Sequence, residues 1–144
     1  MKVKVINKSA FDLPQYETVY AAGMDVRANI TESIIIKPLE RVMIPTGLLV
    51  EIPEGHEIQV RPRSGLAAKF GITVLNTPGT IDPDYRGEIK VILVNISDVD
   101  FELKPAERIA QLVFAAFTRA EWELTDKLSD TERGAGGFGS TGVK

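Results

Sequence analysis

The stretch Glu88-Ile89-Lys90-Val91-Ile92-Leu93-Val94-Asn95-Ile96 decides the architecture. Successive side chains of a strand point to opposite faces. From Val91 to Val94 four apolar residues follow one another, so both faces seek burial. Such a strand needs a second layer, from its own chain or from a neighbouring one. Arg108 to Phe117 reads in the same way, interrupted by Gln111 on the face of Ile109 and Val113. Lys2 to Asn7 alternates Lys and Val, the pattern of a half-buried strand. Arg41 to Ile52 is rich in Val, Ile and Leu, with Pro45 marking an edge or a break. Ile52-Pro53-Glu54-Gly55 is a turn, and His56 to Arg61 alternates after it, so Arg41 to Arg61 reads as a hairpin. One short helix is expected, Ser64 to Phe70, with Ser64 as its N-cap. Many short strands between Gly and Pro turns indicate an all-β sandwich, barrel or jelly roll.

At 144 residues the chain fits one compact domain, with neither an internal repeat nor an internal linker. A core over residues 1–128 is expected, followed by a Gly-rich arm over 129–144. Glycine that dense does not offset its own ordering entropy by burial. The net charge of −3 gives no drive towards a nucleic-acid polymer. There are no cysteines and one histidine, His56. Disulfides, thiolate zinc sites and cysteine nucleophiles are therefore excluded; His56 follows the 52–55 turn and is assigned no role, so neither a Ser/His/Asp triad nor a zinc cage is expected. The N-terminus lacks the apolar core of a signal peptide, and no apolar run spans a bilayer, so a cytoplasmic location is expected.

Five segments carry chemistry. In Gly79-Thr80-Ile81-Asp82-Pro83-Asp84-Tyr85-Arg86-Gly87-Glu88, Pro83 biases Asp82 towards an extended backbone, and Gly87 suits the last position of a turn through Asp84, Tyr85 and Arg86. The loop presents a carboxylate, a ring and a guanidinium; on those residues alone a charged hairpin loop is the favoured reading. Arg63-Ser64-Gly65 at a helix start is suited to an anion, or is simply a cap beside a surface arginine. Gln111 is an amide that must find partners in the core or in a ligand. Asp25, after Gly23 and Met24, orients metal-bound water or caps a turn. Arg133, Phe138, Ser140 and Thr141 stand among glycines, a composition that closes over phosphates or remains a loose terminus.

Taken in order, residues 22–28, 62–71, 79–88, 107–114 and 133–142 resemble the five motifs of the trimeric dUTPase family. IDPDYRGE and RGAGGFGSTG are the most specific parts. The resemblance implies a jelly-roll-like distorted β-barrel with one short helix, and a homotrimer with exchanged C-terminal arms and active sites between subunits. It implies hydrolysis of dUTP to dUMP and pyrophosphate with Mg²⁺, which keeps uracil out of DNA and supplies dUMP for thymidylate synthesis. Asp82 then corresponds to the carboxylate that directs the attacking water. Tyr85 corresponds to the ring beneath the deoxyribose, and Asn76, with the backbone of a neighbouring hairpin, to the reader of uracil. Arg63, Ser64, Gly65 and Gln111 correspond to phosphate contacts, and Asp25 to a residue that reaches the metal through water. Gly79, Ile81 and Lys90 join the substrate-binding set, and Arg133, Phe138, Gly139, Ser140 and Thr141 form the closing arm.

One departure stands out: Pro105-Ala106 replaces the Pro-Gly usual in the fourth motif, and Ala adopts φ > 0 less readily than Gly. A dCTP deaminase-like enzyme is the nearest rival, but its loop tends to read Asp-Pro-Gly-Trp where this chain has Asp82-Pro83-Asp84-Tyr85. Its phosphate motif commonly places Ser after Ser, whereas Gly65 follows Ser64 here. A non-catalytic trimeric β-module is the second rival, and it would have no use for Asp82.

Overall fold

The structure is a computed structural model of the single chain, and it describes residues 1–137. Its elements are β1 (Lys4–Asn7), β2 (Gly23–Arg27), β3 (Ile34–Ile36), β4 (Arg41–Glu51) and β5 (His56–Pro62). Then follow α1 (Ser64–Phe70), β6 (Ile72–Val74), β7 (Gly79–Ile81), β8 (Glu88–Asn95), β9 (Phe101–Leu103) and β10 (Arg108–Ala116). Two four-stranded sheets are ordered β1-β4-β8-β6 and β2-β10-β5-β7, and β3 pairs with β9 in a small ribbon. Every pairing is antiparallel. The expected jelly-roll-like all-β fold with one short helix is therefore met, as two open sheets packed on a shared core.

That core explains the two-faced strand. Ile89, Val91 and Leu93 of β8 are fully buried against Val26, Ile58, Val60 and Leu112 of the opposite sheet. On the other face of β8, Val94 is covered while Ile92 remains half-exposed. The second layer comes from the chain itself.

Several local expectations are corrected. β4 and β5 do not form a hairpin: they lie in different sheets, and the 52–55 turn carries the chain from one layer to the other. The turn itself is present, with His56 N donating to Pro53 O and Gly55 at φ 76°. β1 is an edge strand with its four residues exposed; of the half-buried strand expected over Lys2 to Asn7, Val3 packs against the core. Ser64 is not the N-cap; Arg63 holds that position without a side-chain cap bond. Gln111 does not share the face of Ile109. An extra residue in β10 between Arg108 and Ala110 shifts the register against β2, so Ile109 enters the core and Gln111 faces away from it.

Pro45 does mark a break, although β4 lies inside its sheet. Between Pro45 and Leu49 the β4–β8 register slips. Side chains repair the ladder there. Thr46 Oγ1 donates to Ile89 O at 2.7 Å, and Gly47 N donates to Glu88 Oε1 at 2.7 Å. Gly47 sits at φ 74°, and a Cβ on it would meet Ser9 N at 2.7 Å. At the far end of β8, buried Asn95 donates to Ile36 O and Val99 O and accepts from Ser97 N and Ser97 Oγ. Its full hydrogen-bonding capacity is used, as burial demands.

Ala106 adopts φ 67°. Glu107 N donates to Lys104 O, which closes a turn whose third residue favours Gly. The turn thus forms despite the alanine, held by Ala106 N to Ala28 O at 3.1 Å and Arg27 Nη1 to Ala106 O at 2.8 Å. An L-residue in this region is strained by about 1 kcal/mol. Ala106→Gly is expected to raise unfolding stability by roughly 0.5–1 kcal/mol, read as a thermal midpoint higher by about 2–5 °C. Ala106→Val should lower the midpoint.

Candidate functional site

The loop between β7 and β8 borders an open cavity of about 580 Å³. Its lining includes the apolar side chains of Met43, Ile81 and Ile92 and the polar ones of Thr80, Asp82 and Lys90, with Tyr85. Asp82 opens a turn in which Tyr85 N donates to Asp82 O at 3.2 Å, with Pro83 and Asp84 at the two central positions. The turn is therefore 82–85, two residues earlier than expected, and the loop is no hairpin because β7 and β8 lie in different sheets.

Gly87 serves a different purpose. A Cβ there would overlap the hydroxyl and ring of Tyr85, so only glycine lets that ring lie back along the chain. Tyr85 Oη donates to Glu88 O at 3.0 Å. Arg86 Nη1 donates to Pro83 O at 2.7 Å and to Tyr85 O at 3.0 Å. The loop is laced from within, and Glu88 at its end is tied to Gly47. Asp82 remains exposed.

Upstream, residues 75–78 join β6 to β7, and the Thr77-Pro78 bond is cis. These strands too belong to different sheets, so the expected hairpin beside Asn76 is absent. Each is the last strand of its sheet, and backbone groups on a free edge lack ladder partners. Asn76 lies close over Gly79: a Cβ on Gly79 would stand 3.3 Å from Asn76 Nδ2 and 3.2 Å from Val60 Cβ.

A second group gathers around Asp25. Arg63 Nη2 and Arg108 Nη1 lie 3.1 and 3.2 Å from its Oδ2, and Gln111 Nε2 donates to Oδ1 at 3.1 Å. The structure thus brings together Asp25, Arg63 and Gln111 from three distant segments. Ser64 and Gly65 follow at the start of α1, whose first turn holds no acidic residue. A Cβ on Gly65 would meet nothing within 4 Å, so the fold of this chain has no need of glycine there. Asp25 and Arg108 also line a polar cavity of about 480 Å³ under residues 10–17, which shares no lining residue with the Asp82 cavity.

An ionised carboxylate offers about four lone-pair positions. Three are engaged at Asp25, which leaves one for a water but no open face for direct metal ligation. Among the described residues no three His, Cys, Asp or Glu side chains cluster as a metal cage. This donor set fits an ion carried mainly by a ligand's own oxygens and touched through water.

Arg133 is exposed and turns back on itself, donating from Nε to Gly136 O at 2.8 Å. Phe138, Gly139, Ser140 and Thr141 lie outside the described residues. Arg86 and Glu88 lie within the 79–88 segment and Arg108 within 107–114, but the sequence reading gives none of them an individual role. The signal at Arg108 is a lone charge opening an apolar strand.

Fold and site together define an all-β domain with a cationic cluster around Asp25 and a separate cavity bordered by Asp82 and Tyr85. The family model for dUTPase matches residues 9–142. A deoxyuridine 5'-triphosphate nucleotidohydrolase of Fusobacterium nucleatum is 59% identical over 142 residues, covering 99% of this chain and 97% of the relative. One from Bdellovibrio bacteriovorus is 57% identical, covering 99% and 95%. The solved dUTPase of Staphylococcus bacteriophage 80alpha with dUpNHpp superposes with a TM-score of 0.89 at 27% identity, covering 99% of each chain. A variant dUTPase of phage phi11 of S. aureus, solved with a structural Mg(II) ion, has a TM-score of 0.79 at 21% identity, covering 90% of this chain and 100% of the other. The chain belongs to the dUTPase family.

The two site glycines should behave oppositely. Gly87→Ala is expected to lower unfolding stability by about 1–3 kcal/mol in urea denaturation, because Tyr85 must move. Gly65→Ala should be neutral or stabilise by up to about 1 kcal/mol, as Ala in place of Gly does within a helix.

Proposed function

We propose that this protein hydrolyses dUTP to dUMP and pyrophosphate by attack of water at the α-phosphorus. The observation that carries the reading is the braced 82–88 loop, with Asp82 exposed over a cavity and Tyr85 fixed at its edge, in a chain 59% identical to a named dUTP nucleotidohydrolase. The family match and the high identity to named dUTP nucleotidohydrolases favour hydrolysis over the deaminase-like and non-catalytic alternatives.

In this reading Asp82 holds the attacking water in line and accepts its proton. Positioning contributes most of the effect, because effective molarity falls steeply with small misplacements. Tyr85 packs beneath the sugar. Its hydroxyl is already bonded to the Glu88 carbonyl, so the ring does not swing aside to admit a 2′-hydroxyl. Asn76 in the β6–β7 connection, with Gly79 and Ile81 on the neighbouring edge strand β7, reads uracil. An amino group in place of O4 leaves donors unpaired there, which rejects cytosine. Arg63, Ser64, Gly65 and Gln111 grip the phosphates; Gly65, which the fold does not require, lets backbone approach an oxygen. Lys90 adds positive charge at the cavity rim. Mg²⁺, when bound on the phosphates, neutralises charge and holds the chain in one conformation. Asp25 would reach it through water, by its remaining lone pair.

We infer further that the working unit is a homotrimer in the cytoplasm, with sites between subunits. Two features support the assembly. The Asp82 cavity and the Asp25 group share no lining residue, so one chain alone offers two partial sites. Tyr20, Trp122 and Leu124 are each at least 97% exposed on the single chain, apolar surface that suits a neighbour. Residues 129–144 act as the closing arm, with Phe138 over the base, and Arg133, Gly139, Ser140 and Thr141 near the terminal phosphates, excluding bulk water.

Pyrophosphate release compared across dUTP, dCTP, dTTP and UTP tests the reading: dUTP should be the one good substrate, and release from none of the four would end it. Asp82→Asn should cut kcat by about 10²–10⁴-fold with nucleotide affinity nearly unchanged; near-normal turnover would remove Asp82 from its role. A chain truncated after residue 132 should retain its oligomeric state by size-exclusion chromatography yet lose most activity. Full activity in that truncation would exclude the closing arm.

A further inference from the structure

Two guanidinium groups share one carboxylate oxygen at Asp25. Arg63 stands 3.1 Å and Arg108 3.2 Å from Oδ2, while the Asp25 side chain is only 11% exposed. Arg63 also donates from Nη1 to the backbone carbonyl of Arg108 at 3.2 Å. Arg63 and Gln111 have a place in the phosphate grip described above; Arg108 has none.

The β10 irregularity explains how Arg108 comes to be there. In a regular strand, residues 108 and 111 would point to opposite faces. The extra residue at Ile109 restores them to one side, and both reach Asp25. The same bulge that sends Ile109 into the core therefore delivers a second cation to the cluster.

That cation changes the net charge of the cluster. Asp25 with Arg63 alone is a neutral pair, and an incoming anion must then compete with Asp25 for the guanidinium. With Arg108 on the same oxygen the group carries a net charge of +1, and the hold of Asp25 on Arg63 is shared. Glu17, 3.7 Å from Arg108, is 72% exposed and largely screened, so it offsets little of this. We propose that Arg108 is a positioning residue: as second counter-ion of Asp25 it leaves Arg63 a surplus of charge for the phosphate chain, and it acts through Arg63 without touching the substrate. The proposal rests on the dUTP-hydrolase reading and deepens it.

The test compares Arg108→Gln, Arg108→Lys, Arg63→Gln and the Arg63→Gln/Arg108→Gln double variant of the full chain, by equilibrium binding of dUpNHpp and of dUMP with Mg²⁺ present. Arg108→Gln should weaken dUpNHpp about tenfold, the scale of one charge-assisted hydrogen bond, and change dUMP by less than about threefold. Arg108→Lys, which keeps the charge, should stay within about threefold of the unaltered protein for both. On the Arg63→Gln background, Arg108→Gln should add less than about twofold, because the residue it acts through is gone. Equal losses for dUMP and dUpNHpp would mark a purely structural role and overturn the proposal. Additive losses in the double variant would mark direct phosphate contact and overturn it too, as would a silent Arg108→Gln. Should Arg108→Gln fail to fold, Arg108→Lys decides: near-normal dUpNHpp binding supports the charge argument, and a tenfold loss overturns it. Unaltered protein that releases no pyrophosphate from dUTP would instead defeat the hydrolase reading itself.

Discussion

Burial of the inner face of β8 is the constraint on which the rest of the molecule hangs. Ile89, Val91 and Leu93 have no solvent exposure, in a strand that pairs with β4 along its length and with β6 at its far end. Burying a large aliphatic side chain is worth about 1.5–3 kcal/mol, so this strand cannot shift register without heavy loss. Both of its ends are consequently fixed points. Glu88 at one end binds Gly47 N and closes the 82–87 loop; Asn95 at the other joins β3 and the 97–99 turn. The candidate catalytic carboxylate is thus positioned by a strand to which it does not belong.

The same economy appears at Asp25. A carboxylate with little exposure needs compensating partners, and it draws them from β10 and from the residue before α1. The arginine at the helix entry is thereby oriented by tertiary contacts rather than by a local cap. That arrangement supplies more positive than negative charge in one place, in a chain whose overall charge is negative. A local cationic site on an anionic protein suits a small polyanion.

Two kinds of glycine are distinguished by the space around them. Gly47 and Gly87 are demanded by the fold, because a Cβ would strike Ser9 or Tyr85. Gly65 is not: it is exposed, and a Cβ there would stand in open space. Ala106 is the converse case: a side chain in a left-handed position that neighbouring backbone bonds enforce.

Much of this protein was legible from residues in order. Alternation and two-faced apolar runs specify strands, turn chemistry specifies 52–55, and the company of Asp82, Arg63 and the Gly-rich tail specifies the family, because these properties are local or depend only on spacing. Tertiary structure decided the rest. Which strands pair is a non-local choice, so the 52–55 turn links two sheets instead of closing a hairpin. One extra residue in β10 reverses side-chain parity, so Gln111 meets Asp25 rather than the core. Above all, the sharing of Asp25 between Arg63 and Arg108 joins segments 38 and 83 residues from it along the chain. Nothing in local pattern encodes that meeting; it exists only once both sheets have packed.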